Sequence, residues 1–223
     1  MADSNYSVLK PNSYIDRLTL KKRFKMFQIF TKTFPEHAFE TVLDAGVTAD
    51  QHAICSNYFE KYFPHKNKII ALSNQNAAFL EEKYPGLVFR YGDVRALPFN
   101  NESIDVVFSS AVIEHVGSRE NQKKMIVECL RVAKKGVFLT TPNRWFPIET
   151  HTFLPCIHWF PKNIHRIILK MMGLKFHSLE ENLNLLDSKT LNRLCKELNI
   201  KTYSLQKIRT FGWVSNLVLV IKK

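Results

Sequence analysis

Residues 93–99 read Asp-Val-Arg-Ala-Leu-Pro-Phe, and residues 103–115 read Ser-Ile-Asp-Val-Val-Phe-Ser-Ser-Ala-Val-Ile-Glu-His. The first stretch puts an acidic residue at a strand end, ahead of a turn. The second is an apolar strand that breaks into small polar residues. In an open α/β sheet the carboxyl ends of the strands form the edge where ligands bind, so a flat, polar cofactor can sit here.

The segments on either side decide the fold. Residues 41–45, 68–72, 87–91, 104–109 and 136–141 read as five strands, with helices expected over 75–83 and 119–133. The fourth and fifth strands are apolar almost throughout, as expected for strands covered on both faces of a parallel sheet. Strand–helix alternation implies a doubly wound α/β fold with right-handed crossovers. The end of the chain differs. Residues 187–198 read as a helix with Asp187 as N-cap, and 200–208 and 213–221 read as two further strands. Their short connection makes an antiparallel hairpin that closes a Rossmann-like, seven-stranded, mostly parallel sheet.

Two segments lie outside that frame. Residues 13–34 form a helix whose face carries Lys21, Lys22, Arg23 and Lys25, ended by Pro35. It reads as a helix docked on the domain, or more sharply as a lid or membrane-surface contact. Residues 142–184 form a long excursion after the fifth strand, with Trp145, Phe146, Phe153, Trp159, Phe160 and Phe176. Connections this long in a compact domain are often functional. It reads as a helical, aromatic cap within one domain spanning 1–223, of which 1–35 is an N-terminal extension.

The chain has 223 residues, 45% hydrophobic and 23% charged, with net charge +12. That is an ordinary globular composition, and the charge favours an anionic partner without choosing one. Cys55, Cys129, Cys156 and Cys195 are widely spaced and read as reduced core thiols of a cytoplasmic protein. Residues 1–10 are polar and lack a signal-peptide core. No apolar run is long enough to span a membrane.

In order, the motifs resemble those of the class I methyltransferases that use S-adenosylmethionine, over nearly the whole chain. Val42-Leu-Asp-Ala-Gly46 is similar to that family's first motif, Gly92-Asp-Val94 to the third-strand motif, and residues 103–116 to the fourth. Leu130-Arg-Val-Ala-Lys-Lys-Gly-Val137 resembles the passage into the fifth strand. The resemblance implies S-adenosylmethionine as cofactor. It implies that Asp44, Ala45, Gly46 and Val47 face the methionine and ribose, and that Asp93 and Val94 face the adenine. Ser109 and Ser110 complete the set. Two departures stand out. Gly46 is followed by Val47-Thr-Ala-Asp50 rather than by further glycines. Ser73, with Asn74 beside it, occupies the place where relatives carry an acid for the ribose, which gives up charge-assisted bonding. The Gly-Val-Thr-Ala-Asp form, with Pro142-Asn-Arg-Trp-Phe-Pro147, also resembles a bacterial subgroup of the family.

Other chemistries find no support. The three spaced glycines of a nicotinamide fingerprint are missing, as are a phosphate-cradling loop and a nucleophile elbow. Thr141-Pro-Asn143 lacks the Asn-Pro-Pro-aromatic motif of amino-group nucleic-acid methyltransferases, so nucleic acid is disfavoured as substrate. His115, after the fourth strand, and His151, in the excursion, are the candidate bases, needed where the acceptor is a hydroxyl or a protonated amine. Glu149, His151 and His158 match no metal-ligand spacing, so no metal is expected. The aromatic, basic excursion suits a small-molecule or lipid-linked acceptor, with residues 161–170 as a candidate peripheral membrane contact. A non-catalytic binding protein on the same scaffold and an RNA-modifying enzyme are the alternatives. Oligomeric state is left open.

Overall fold

The structure, a computed structural model, describes residues 12–223; the reading of residues 1–10 lies outside that range. The strands are β1 Val42–Ala45, β2 Ile69–Ser73, β3 Val88–Tyr91, β4 Ile104–Ser110, β5 Ala133–Pro142, β6 Tyr203–Thr210 and β7 Trp213–Lys222. They form one seven-stranded sheet in the order β3-β2-β1-β4-β5-β7-β6. The pairs β1–β2, β2–β3, β1–β4 and β4–β5 are parallel, whereas β5–β7 and β6–β7 are antiparallel. The chain runs outward through β1, β2 and β3, then returns to β4 on the other side of β1. That reversal makes the carboxyl ends of β1 and β4 the switch point where a crevice opens.

The closing hairpin has a local cause. Phe211 and Gly212 have φ of 50° and 83°, the left-handed pair that matches the twist of two joined strands. The turn lets Thr210 pair with Trp213. It places β7 between β5 and β6, so the last strand in sequence is not the edge strand.

The helices are α1 Tyr14–Thr33, α2 Tyr58–Tyr62, α3 Phe79–Lys83, α4 Arg119–Val132, α5 Lys162–Met171, α6 Lys175–Ser178 and α7 Ser188–Glu197. Three of them start on side-chain caps: Ser13 accepts from the Asp16 amide, Ser118 from Asn121 and Asp187 from Thr190. Each cap satisfies an amide that a helix start otherwise leaves unpaired. Helix α2 has no counterpart in the sequence reading.

Both sheet faces are covered. On one face Leu43, Val107 and Leu219 meet Met125, Ile126 and Cys129 of α4 and Leu191 and Leu194 of α7. On the other, Val106, Phe108, Phe138 and Val218 meet Phe30 of α1 and Phe59 of α2. The period-2 alternation of β4 sends Val106 and Phe108 to one side and Val107 to the other. Phe108 stacks on Phe59 at 4.3 Å and on Phe138 at 5.6 Å. Phe30 meets Phe59, Phe108 and Phe138 edge-on at 5.1, 5.4 and 5.4 Å, the arrangement that ring quadrupoles favour. Helix α1 is therefore part of the core at its carboxyl half. Among the described residues, no helix is long and apolar enough to cross a membrane.

Candidate active site

A cleft of about 1230 Å³ opens at the carboxyl ends of β1, β2 and β4. Asp44, Gly46, Val47, Ser73 and Asn74 line it from β1 and β2. Asp93, Val94, Ser110, His115 and His151 line it from the other segments. Ala45 and Ser109 do not line it. They lie beneath the floor, where the buried Ser109 hydroxyl donates to the Ala45 carbonyl at 2.6 Å and ties β4 to β1.

The first turn is glycine for a packing reason. Gly46 has φ of +108°, and a Cβ there would sit 2.4 Å from Val112 Cγ2. Its amide and that of Val47 both donate to the Leu72 carbonyl, at 2.8 and 3.1 Å. The Thr48 amide donates to Asn57 Oδ1 at 3.0 Å, and Asn57 Nδ2 returns a bond to the Thr48 carbonyl at 2.9 Å. The loop that follows β1 is thus tied to β2 and to the Asn57 side chain.

Further along the cleft, Ser73 Oγ accepts from the Gln75 amide at 3.1 Å. The exposed Asn74 side chain faces the cleft. Asp93 is engaged by Arg95, whose Nε lies 3.0 Å from both carboxylate oxygens and whose Nη2 lies 2.6 Å from Oδ2. The guanidinium bonds hold the Asp93 carboxyl below its usual range.

Beneath the turn, Asp44 and Glu60 form a buried carboxyl pair, with Glu60 on α2. Burial pushes both upward, and mutual repulsion raises Asp44 further. Two carboxyls in one dry site resist ionising together. The cation that opposes this shift at Asp44 is Arg23 of α1. Its guanidinium lies 5.4 Å from the Tyr58 ring centroid and donates to the Cys55 carbonyl. The amino half of α1 is held over the cleft by Asp16, whose buried carboxylate accepts from the amides of Ile54 and Cys55 at 3.0 and 3.1 Å. Lys22 Nζ also reaches the Arg209 carbonyl at 2.7 Å. The sequence shows the basic face of this helix, but not that one of its cations enters the site.

The opposite end gathers residues far apart in sequence. The Tyr58 hydroxyl donates to Ser110 Oγ at 3.1 Å, and Ser110 Oγ lies 2.8 Å from Thr140 Oγ1. His115 Nδ1 donates to the Asn182 carbonyl at 2.7 Å; a carbonyl only accepts, so the bond fixes the tautomer. Burial holds the His115 ring down to about 3, which keeps it neutral. His151 Nδ1 lies 2.6 Å from Glu149 Oε1, and the rings of His115 and His151 meet edge-on at 4.6 Å. Burial opposes charge on His151, but the Glu149 carboxylate outweighs it and raises the ring. Glu149 is buried yet held well below the usual carboxyl range by His151 and by the Thr152 amide and hydroxyl, both at 2.7 Å. Glu114, fully buried, accepts from the Thr141 hydroxyl at 2.9 Å, and burial raises its carboxyl.

His158 stands elsewhere. Its Nε2 bonds the Phe146 carbonyl at 2.7 Å, and its ring packs near His165, away from the cleft. Cys55, Cys129 and Cys195 are free and buried, and Cys156 is free and half-buried.

Residues 33–141 match the family described as a methyltransferase domain. A probable S-adenosylmethionine-dependent methyltransferase of Mycolicibacterium smegmatis is 38% identical over 81 residues, covering 34% of this chain. The match spans 30% of that relative's length. An S-adenosylmethionine-dependent methyltransferase of Thermotoga maritima, described as a possible histamine N-methyltransferase, superimposes with a TM-score of 0.56 at 15% identity over 94% of each chain. The magnesium protoporphyrin IX methyltransferase of Synechocystis, solved with bound S-adenosylhomocysteine, superimposes with a TM-score of 0.59 at 12% identity, over 98% of this chain and 91% of that one. These two structures are similar in fold. Sheet order, motif order and the domain match agree: residues 33–141 match the methyltransferase-domain family, on the fold that the two solved methyltransferases share.

Proposed function

We propose that this protein transfers a methyl group from S-adenosylmethionine to a small-molecule or lipid-linked acceptor. One observation carries the reading: a single cleft joins the expected cofactor positions to His115 and His151. The residues present suit the cofactor. Asp93 and Val94 would hold the adenine, Ser73 and Asn74 the ribose, and Arg23 the methionine carboxylate. Bound there, the cofactor supplies a methyl group on a sulfonium, already a strong electrophile.

The protein's share is alignment, exclusion of water and handling of one proton. Helix α1 roofs the cleft and excludes water. His115, neutral and fixed by Asn182, shapes the acceptor end without carrying charge. His151 is equipped to take the proton of a hydroxyl or ammonium acceptor, because Glu149 stabilises the imidazolium that forms.

The mouth of the cleft supports an apolar acceptor. Tyr14, Ile15, Ile148 and Phe211 line it and are exposed, with Lys22 and Arg23 among them. A tail resting on those side chains and an anionic group near the cations fit this rim. Helix α5 adds exposed Ile164, Ile167 and Met171, a face suited to peripheral contact between a cytoplasmic enzyme and a membrane.

The test is calorimetry on the Arg23→Met variant. S-adenosylmethionine affinity should fall about tenfold, the scale of a charge-assisted bond, while adenosine affinity stays unchanged. Equal losses for both ligands, or no loss for either, would remove Arg23 from the site.

A further inference from the structure

Glu114, His115 and His151 meet at the acceptor end of the cleft, although the whole of α4 and β5 separates the two histidines in sequence. Each offers one ligand atom, and the three atoms lie within 4.8 Å of one another. His151 Nε2 is 3.9 Å from Glu114 Oε1. That oxygen is buried and has no hydrogen-bond partner, although Oε2 of the same carboxyl is bonded by Thr141. A buried acceptor without a donor is costly, and this one lies beside the two imidazoles.

The surroundings of both histidines match those of metal ligands. A metal-bound histidine almost always donates its other ring N–H to a carboxylate or a backbone carbonyl. His151 does so to Glu149 at 2.6 Å, and His115 does so to the Asn182 carbonyl at 2.7 Å. Glu149 is fixed in turn by Thr152 at 2.7 Å. In both rings the tautomer leaves Nε2 as the nitrogen with the lone pair.

We propose that Glu114, His115 and His151 bind a divalent first-row transition-metal ion at the acceptor end of the cleft. Two imidazoles and one carboxylate suit zinc, iron or manganese better than calcium or magnesium, which prefer all-oxygen sets. Bonds of about 2.0–2.2 Å put neighbouring ligand atoms roughly 3 Å apart, so the three side chains close by about 1–2 Å on the ion. Three protein ligands leave positions open, as in catalytic metal sites.

The site stands on these side chains alone; its use in catalysis rests on the methyltransferase reading. In the ion-bound enzyme His151 Nε2 is a ligand. An acceptor hydroxyl that binds the ion gives up its proton more readily, and Glu149 orients His151 instead of stabilising its charge.

The full chain, free of any affinity tag and stripped with chelator, is titrated with Zn²⁺ by calorimetry and with Co²⁺ by visible absorption. One ion per chain is expected, with Co²⁺ bands that Zn²⁺ abolishes. Glu114→Gln and His151→Ala should each weaken Zn²⁺ binding by at least about 100-fold, and Glu149→Gln by about 10–100-fold. Circular dichroism and S-adenosylmethionine calorimetry on the same metal-free proteins report folding and cofactor binding separately. Absence of stoichiometric Zn²⁺ binding, or binding unchanged in Glu114→Gln and His151→Ala, would overturn the metal site. Either result with cofactor binding intact leaves the methyltransferase reading standing.

Discussion

Arg95 closes on Asp93 two residues away, with Nε 3.0 Å from both carboxylate oxygens and Nη2 2.6 Å from Oδ2. The carboxylate expected to receive an adenine amino group therefore already has donors on both oxygens. The Arg95 and Asp93 side chains are 40% and 38% exposed. An exposed pair of this kind contributes at most about 1 kcal/mol, so a cofactor can displace the guanidinium cheaply. Asp93→Ala should weaken S-adenosylmethionine binding about tenfold, and Arg95→Ala should strengthen it by no more than about fivefold. Isothermal calorimetry checks both. Unchanged affinity in Asp93→Ala would move the adenine elsewhere.

Phe30 joins three other rings within 5.4 Å and is fully buried. Phe30→Ala should destabilise the protein by about 3–5 kcal/mol, read as a drop in the denaturant midpoint. A loss below about 1 kcal/mol would mean that α1 is an appendage and not part of the core.

Gly46 and Val112 give a coupled test. Gly46→Ala introduces a side chain at positive φ and drives it into Val112. The expected cost is about 1–3 kcal/mol. In a Val112→Ala background the steric share should vanish and the backbone share remain, so the double-mutant cycle should show coupling. Strict additivity would show that the Val112 contact is not what demands a glycine.

Much of this fold was legible in the sequence because its signals are local. The seven strands, α4, α7 and the hairpin follow from apolar runs, caps and breakers, each read over a short span. The capping Asp187 behaves as read, bonding the Thr190 amide at 2.7 Å. Helix α2 was not legible: one short turn, apolar on several sides, gives no periodicity to count. Strand order was not legible either, since nothing local tells β7 to insert beside β5. The same limit applies to the site. Asp44, Gly46, Ser73 and Asp93 announce themselves at strand ends. Glu114 and His151 meet only because the chain beyond β5 folds back, and Arg23 reaches the cleft only because Asp16 anchors α1 to Ile54 and Cys55. Glu114 stands out beside His115 at the end of an otherwise apolar run, but its approach to His151 has no local signal.

His165 sets an acid limit on stability. Burial holds its ring down to about 4, against an ordinary value of 6.5, and its Nε2 has no hydrogen-bond partner. The unfolded chain therefore takes up this proton near pH 6.5 and the folded chain only near pH 4. Between those values the unfolded state binds more protons, so stability falls as pH falls. The melting temperature should decline from about pH 6.5 toward about pH 4, and His165→Leu should flatten that decline. An identical pH slope in the variant would show that the ring is charged in the folded protein.

The most direct measurement is calorimetric titration of the wild-type chain with S-adenosylhomocysteine. One site per chain is expected, with a Kd of about 1–100 μM. Folded protein that shows no binding at about 1 mM ligand would contradict the methyltransferase account and leave the cleft to another function.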